Sequence, residues 1–111
     1  MPAQFELFKD KKSEFRFRLK SGNGEIILAS EGYQDRAGAM NGIEAVKKSS
    51  DLLARFEKKM SASGSHYFVL KAANYQIIGT SEQYPTEDAC DGGIKSVIAN
   101  AKLARFEDQT A

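Results

Sequence analysis

The sequence has few of the residues that most often carry covalent or metal chemistry. Its 111 residues include one cysteine, one histidine and no tryptophan. A single cysteine excludes a disulfide bond within the chain, and one cysteine with one histidine falls short of the four ligands of a typical zinc site. We therefore predict a protein without cofactor, metal or catalytic residues, and not an enzyme.

Long apolar runs and an excess of one charge are also missing. No stretch approaches the roughly 18 apolar residues that a membrane-spanning helix needs, and residues 1–6 lack the pattern of a signal peptide. Sixteen Lys and Arg against fifteen Asp and Glu give a formal charge of +1. This charge gives no general attraction to nucleic acid or to membranes. We expect a cytoplasmic protein with no membrane partner.

The chain contains an internal repeat at a spacing of 51 residues. When residues 15–50 are aligned with residues 66–101, 12 of the 36 pairs are identical, where unrelated sequences would give roughly two. One unit of this size is marginal for a core of its own. We therefore predict that the two halves share one core within a single domain, residues 1–111. Repeat one covers about 4–57 and repeat two about 53–107.

Each unit begins with three predicted strands. Residues 4–9 favour the first strand, and period-two alternation is typical of a half-buried second strand. Apolar Phe15, Phe17 and Leu19 alternate there with basic Arg16, Arg18 and Lys20. Asn23-Gly24 is a strong hairpin signal before the third strand. Repeat two has Tyr75 in place of that glycine, and tyrosine resists a positive φ, so we predict another turn type there.

A helix and a last strand complete each unit. Asp35 and Thr86 are the predicted N-caps of the two helices. Gly42 and Gly93 lie in mid-helix, where glycine costs about 1 kcal/mol relative to alanine. The simplest account is a close crossing over the sheet that leaves no room for a side chain; a ligand against the backbone is the alternative. Residues 52–57 are predicted as a strand that ends repeat one and begins repeat two, and residues 103–107 as the last strand.

Several doubled motifs together resemble the YegP-like family, small bacterial proteins of uncharacterised function. The motifs are the Asn23-Gly24 hairpin, the Ser-Glu-x-Tyr steps at Ser30 and Ser81, and the Gly-Ile-x-x-Val helix segments at Gly42 and Gly93. The resemblance implies an α+β fold of two tandem β(3)-α-β repeats. They would form one antiparallel sheet with exchanged C-terminal strands and two helices packed on it, within a monomeric chain. The family brings no accepted catalytic residues.

One sheet face is the main candidate for a binding surface. Its predicted residues are Arg16, Arg18 and Lys20 on the second strand, Tyr67 and Lys71 at equivalent positions of repeat two, and Phe8, Ile27 and Ile78 beside them. Cations interleaved with aromatic groups can bind single-stranded nucleic acid. The same pattern is typical of a solvated sheet whose arginines pair with carboxylates such as Glu6 or Glu25. Nucleic-acid binding predicts that no carboxylate lies within salt-bridge reach of Arg16 and Arg18.

Other polar residues have simpler structural explanations. Cys90 is expected to be a buried small hydrophobe rather than a nucleophile, with His66 as a partly buried ring. Ser30-Glu31 and Ser81-Glu82 could form a paired polar site, but a turn that satisfies free backbone N–H groups is the favoured interpretation. Tyr33 and Tyr84 would then pack over the helix starts.

These observations favour a non-enzymatic binding or accessory module. The partner is unknown and could be a protein. Nucleic-acid binding through the open sheet face is the alternative, and a small enzyme has no supporting group of residues. A protein-binding module predicts an exposed apolar patch or an unpaired strand edge.

Overall fold

A computed structural model of the chain describes residues 2–110. Within that range the chain forms one seven-stranded sheet and two α-helices. The strands are β1 (Gln4–Lys9), β2 (Phe15–Lys20), β3 (Ile26–Ala29), β4 (Phe56–Met60), β5 (His66–Lys71), β6 (Ile77–Thr80) and β7 (Arg105–Asp108). The helices are α1 (Arg36–Ser49) and α2 (Glu87–Asn100), each followed by a short 3-10 segment, Leu53–Arg55 and Ala101–Leu103. No helix among residues 2–110 is both long and apolar enough to cross a bilayer.

The sheet order is β4-β5-β6-β3-β2-β1-β7, and the two halves meet where Ala29 of β3 pairs with Thr80 of β6. The α+β class, the tandem repeats and the single sheet agree with the prediction. Five of the six strand pairs are antiparallel, but β7 runs parallel to β1, with Phe106 opposite Phe5. The sheet is therefore mixed rather than wholly antiparallel.

The parallel pair has a simple origin. The segment after α1 becomes β4 and takes the position beside β5, where Phe56 lies opposite Leu70. The segment after α2 repeats that sequence, but the equivalent position beside β2 is already occupied by β1, whose Phe5 lies opposite Leu19. β7 therefore keeps the same direction and lies one position further out. The strand that follows each helix thus pairs within the other half, β4 with β5 and β7 with β1, as the predicted strand exchange requires.

The helices hold the halves together because each contacts strands from both. α1 packs on β2, β5 and β6, and α2 packs on β5 and β3. Both predicted caps are confirmed: Asp35 Oδ1 accepts the Gly38 N–H at 2.7 Å, and Thr86 Oγ1 accepts the Ala89 N–H at 3.1 Å. The buried core beneath the helices includes Phe5, Phe17, Leu19, Ile43, Val46, Phe68, Leu70, Cys90, Ile94 and Val97.

All four β-hairpins use the same turn. The N–H groups of Ser13, Gly24, Gly64 and Tyr75 each donate to the carbonyl oxygen three residues back, and each of these residues has a positive φ. This is a type I turn closed by a left-handed residue. The prediction of another turn type at Tyr75 is wrong, since Tyr75 has φ 68° where Gly24 has φ 87°. Its side chain is 81 % exposed, so only local backbone strain opposes that conformation.

The segment at residues 52–57 also differs from the prediction. Leu53–Arg55 is a 3-10 turn, and the strand begins only at Phe56. The N–H groups of Leu52 and Arg55 are used in tight local hydrogen bonds to Ser49 and Leu52 as the chain leaves the helix layer for the sheet. Leu53 is left 68 % exposed, which is unusual for a large apolar side chain.

Candidate functional site: an open strand edge beside a charge-compensated sheet face

The sheet face opposite the helices carries the basic residues singled out in the sequence, and each basic side chain of β2 has a carboxylate partner. Arg16 Nε lies 2.6 Å from Asp10 Oδ2, and Arg18 Nε lies 2.6 Å from Glu6 Oε1. Lys20 Nζ lies 3.3 Å from the same Glu6 oxygen. Carboxylates are therefore within salt-bridge reach of both arginines, which is the arrangement expected of a solvated sheet.

Glu6 is the centre of this network and is only 3 % exposed. Burial acts to raise the pKa of its carboxyl group, but hydrogen bonds from Arg18, Gln4 and Lys20 outweigh burial and hold the pKa below 4.5. Asp10 is held below its usual pKa by Arg16 and by the backbone N–H groups of Glu14 and Lys12. Both groups are ionised at neutral pH and compensate the arginines.

Replacing Glu6 by glutamine is expected to lower the free energy of unfolding at neutral pH by about 1–2 kcal/mol. Arg18 and Lys20 would lose their common partner, although each side chain remains 29 % exposed. The depressed pKa of Glu6 means that its stabilisation is present above pH 4.5 and is lost as the pH falls through the folded value. Urea unfolding of both proteins across acid and neutral pH checks this.

The matched control is Glu57→Gln, at the equivalent position of repeat two. The Glu57 side chain is 46 % exposed and pairs with Lys71 Nζ at 2.5 Å, so its loss should be much smaller. A stability difference between wild type and Glu6→Gln that does not shrink below pH 4.5 would contradict the proposed role of the ionised carboxylate.

The second half of the same face is less basic. Tyr67 is half-buried, Lys71 is paired with Glu57, and Val69 between them is 3 % exposed. Phe8 lies on this face as predicted, beneath the Arg18 guanidinium at 4.5 Å from the ring centroid. The prediction is wrong for Ile27 and Ile78, which belong to the buried core cluster. The structure thus brings Arg16, Arg18 and Lys20 together along one strand, with Tyr67 and Lys71 on the strand of the other half.

The doubled serine step is a structural turn. Ser30 Oγ accepts the Phe17 N–H at 2.9 Å, and Ser81 Oγ accepts the Phe68 N–H at the same distance. Each hydroxyl then donates to the carbonyl oxygen of the next residue, at 2.8 and 2.7 Å. The turn prediction is therefore confirmed, and these hydroxyl groups are fully used.

Cys90 is fully buried in the core, and burial raises the pKa of its thiol. A protonated buried thiol is a poor nucleophile. In residues 2–110 no group of three or more His, Cys, Asp or Glu side chains is placed to hold a metal ion. What the structure offers for binding is found instead at one edge of the sheet.

That edge is the outer side of β4, the first strand in the sheet order. The Ser61 N–H donates to Ser65 across the hairpin, and backbone groups alternate in direction along an antiparallel strand. The N–H groups of Lys58 and Met60 therefore point away from β5. Met60 is 62 % exposed. A row of outward backbone groups of this kind can pair with an added strand.

An apolar groove of about 560 Å³ lies beside this edge, between β4 and α2. It is lined by Leu53, Phe56, Lys58, Asp91, Ile94, Lys95 and Ile98. Lys58 lies at its polar end, with its ammonium group 2.7 Å from Glu87 Oε2 and 3.0 Å from Asp91 Oδ1. These two carboxylates raise the pKa of Lys58, so the site carries fixed charges at neutral pH.

The equivalent edge of the other half is covered. There β7 lies along β1, Phe5 is fully buried, and Leu7 is fully buried. The equivalent residues of repeat two are Phe56, which is half-buried, and Lys58, which is exposed. The groove thus occupies the position beside β4 that β7 fills beside β1.

Sequence reasoning missed this site. The repeat was visible, and so was the threefold occurrence of Phe-Glu, at Phe5, Phe56 and Phe106. Three copies of one strand motif for two equivalent inner positions would have indicated that the third copy covers one of these two strands and leaves the other uncovered. The exposed Leu53 gave no signal of its own, because its segment was predicted as a strand.

Comparisons with known proteins agree with the tandem architecture. One family profile, described as "Domain of unknown function (DUF1508)", matches twice, at residues 10–57 and 61–108. The chain is 50% identical over 105 residues to a UPF0339 protein in the ptx operon 5′ region of Stutzerimonas stutzeri, covering 95% of each. It is 48% identical over 110 residues to the UPF0339 protein YegP of Escherichia coli O157:H7, covering 99% of this chain and 100% of the relative.

Two solution NMR structures have the same fold. The UPF0339 protein of Shewanella oneidensis has a TM-score of 0.92 at 49% identity, covering 99% of this chain and 93% of that one. YegP of Escherichia coli, described as a protein of unknown function, has a TM-score of 0.94 at 46% identity, covering 100% and 96%. None of these names assigns an activity or a ligand. Because the profile matches both halves, this chain belongs to the DUF1508 family. The UPF0339 proteins named above, YegP among them, are its relatives.

Proposed function

We propose that this chain is a non-enzymatic protein-binding module and that its binding element is the open β4 edge with the adjoining groove. The observation that carries the proposal is the unequal treatment of two equivalent edges. β1 is covered by β7, whereas β4 presents outward N–H groups beside a groove lined by Leu53, Phe56 and Ile98. Strand addition at such an edge supplies affinity through the backbone and specificity through side-chain pockets.

The basic sheet face supports the alternative, nucleic-acid binding, less well. Its cations are neutralised by Asp10, Glu6 and Glu57 within the chain. A nucleic acid would have to displace these carboxylates before its phosphates could pair. We propose instead that Arg16, Arg18 and their neighbours stabilise the sheet, and that the protein acts as a cytoplasmic monomer.

Replacing Met60 by proline is expected to abolish partner binding while preserving the fold. Proline removes one N–H group, and at Met60 that group points away from the sheet, where an edge strand tolerates its loss. The Met60→Ala variant loses the same side chain but keeps the N–H, so it is the matched control. Proteins retained from a lysate of Shewanella oneidensis by wild type, Met60→Ala and Met60→Pro can be compared by mass spectrometry.

The expected result is a set of proteins retained by wild type and Met60→Ala and lost, by at least about tenfold, with Met60→Pro. Circular dichroism establishes that the three chains are equally folded. Equal retention by all three chains would show that the edge is not the binding element.

A further inference from the structure

The chain itself shows how a strand binds to an edge of this sheet. β7 runs parallel to β1, with the Arg105 N–H donating to Ala3 O at 2.9 Å and the Gln109 N–H donating to Leu7 O at 2.8 Å. On the open face, Gln4 Nε2 donates to Glu107 at 2.9 Å. On the helix side, Asp108 Oδ2 accepts a hydrogen bond from Arg36 at 2.7 Å. Hydrogen bonds from the side chain and backbone of Thr110, together with this ion pair, lower the pKa of Asp108 to about 2.

The internal repeat transfers this arrangement to the open edge. β4 pairs with β5 in the register that β1 has with β2, so Lys58 takes the place of Leu7. A strand added in parallel to β4 would therefore donate a backbone N–H to the Lys58 carbonyl oxygen, as the Gln109 N–H donates to the carbonyl oxygen of Leu7. The strand geometry is repeated from Phe56 to Lys58, while Arg55, the equivalent of Gln4, lies in the 3-10 turn before β4. The charged residues around the edge differ between the halves.

The residues that would face the added strand have changed charge between the halves. Arg36 at the start of α1 is replaced by Glu87 at the start of α2, and Gln4 is replaced by Arg55. Glu87 and Asp91 share the single ammonium group of Lys58, so two carboxylates face one cation there. An added side chain at the position of Asp108 would meet the carboxylate of Glu87 in place of the guanidinium of Arg36.

We propose that the β4 edge binds, in parallel, an extended segment of a partner protein with the order apolar or aromatic, acidic, basic. The apolar residue takes the position of Phe106 and enters the groove beside Phe56. The acidic residue takes the position of Glu107 and faces Arg55. The basic residue takes the position of Asp108 and pairs with Glu87. This specificity rests on the proposed function and adds the class of partner.

A second copy of this chain fits the edge less well. Its own β7 carries Asp108 where the site favours a cation, and that strand is already paired with β1.

Two synthetic peptides test the specificity. One has the sequence of residues 103–110, and the other carries the single change Asp108→Lys. Their binding to the full chain can be followed by NMR titration, which also separates shifts in β4 and α2 from shifts in β1. We expect the lysine peptide to bind about tenfold tighter, because attraction replaces repulsion at one partly exposed site.

A charge-reversed chain supplies the matched control. Glu87→Arg restores the residue type that α1 has at Arg36, so this variant is expected to prefer the unchanged aspartate peptide. A preference that follows the peptide charge and reverses with Glu87→Arg supports the proposal.

Four results would overturn it. Equal affinity for both peptides, or binding that maps to β1, would show that the proposed charge preference of the β4 edge is wrong. Capture of partner proteins that still depends on the edge would leave the proposed function intact. If neither peptide bound while partner proteins were still captured through the edge, the charge preference would again be wrong and the proposed function would stand. A dimer in sedimentation that is lost in Met60→Pro would make a second copy of the chain the occupant.

Discussion

Replacing Phe17 by alanine is expected to lower the free energy of unfolding by about 3–5 kcal/mol, as large-to-small changes of a buried aromatic residue do. Phe17 is fully buried, lies edge-on to Phe5 with centroids 6.1 Å apart, and stacks on Tyr33 at 6.2 Å. Such a loss is a large part of the about 5–15 kcal/mol that holds a domain together.

The loss should be felt equally in both halves. The core cluster is continuous from Phe5 and Phe17 in repeat one to Phe68 and Leu70 in repeat two, so one cooperative transition is expected. Hydrogen exchange of backbone amides in β2 and β5 measures this directly. The control is Phe106→Ala, since that ring is 41 % exposed on the edge strand and should cost clearly less.

Loss of protection confined to β1–β3, with β5 and β6 unchanged, would show that each repeat is stable by itself. It would remove the physical basis for the repeat interpretation, which is that about fifty residues cannot bury enough apolar surface alone. A uniform loss of protection supports a single shared core.

The features that local sequence determines were predictable. Asp35 and Thr86 cap their helices because a short oxygen-bearing side chain before an apolar helical stripe has few other roles. The repeat itself required only a comparison of the chain with itself. The serine hydroxyls at Ser30 and Ser81 bind backbone N–H groups, as the turn interpretation required.

The features that depend on competition between segments were not predictable from local pattern. Tyr75 has a positive φ because the strands of its hairpin impose the turn of the other three. The propensity of one exposed residue is too weak to change that register. The parallel β7 and the open β4 edge arise because three copies of a strand motif share two equivalent inner positions. The candidate site results from that competition between segments, so no single residue in the sequence indicates it.

Replacing Gly93 by alanine is expected to destabilise the protein by about 1–2 kcal/mol, although alanine is the better helix former by about 1 kcal/mol. A Cβ atom at Gly93 would lie 2.7 Å from Tyr84 Cζ and 3.0 Å from Phe68 Cε2. Tyr84 stacks on Phe68 with centroids 6.4 Å apart, so the ring cannot move without losing that contact. The tyrosine ring, and not a ligand, is what meets the bare helix backbone in both repeats, because Gly42 faces Tyr33 and Phe17 in the same way.

The neighbouring Gly92 provides the matched control, because a Cβ atom there has no heavy atom within 4 Å. Gly92→Ala is therefore expected to stabilise the protein by up to about 1 kcal/mol. Thermal or urea unfolding of both variants should place them about 1–3 kcal/mol apart, combining the two opposite effects. Adding Tyr84→Phe to Gly93→Ala should recover part of the loss, because it removes the hydroxyl oxygen that is nearest to the new Cβ. If both glycine variants gained stability alike, the helix would not be held against Tyr84, and mid-helix glycine would need another explanation.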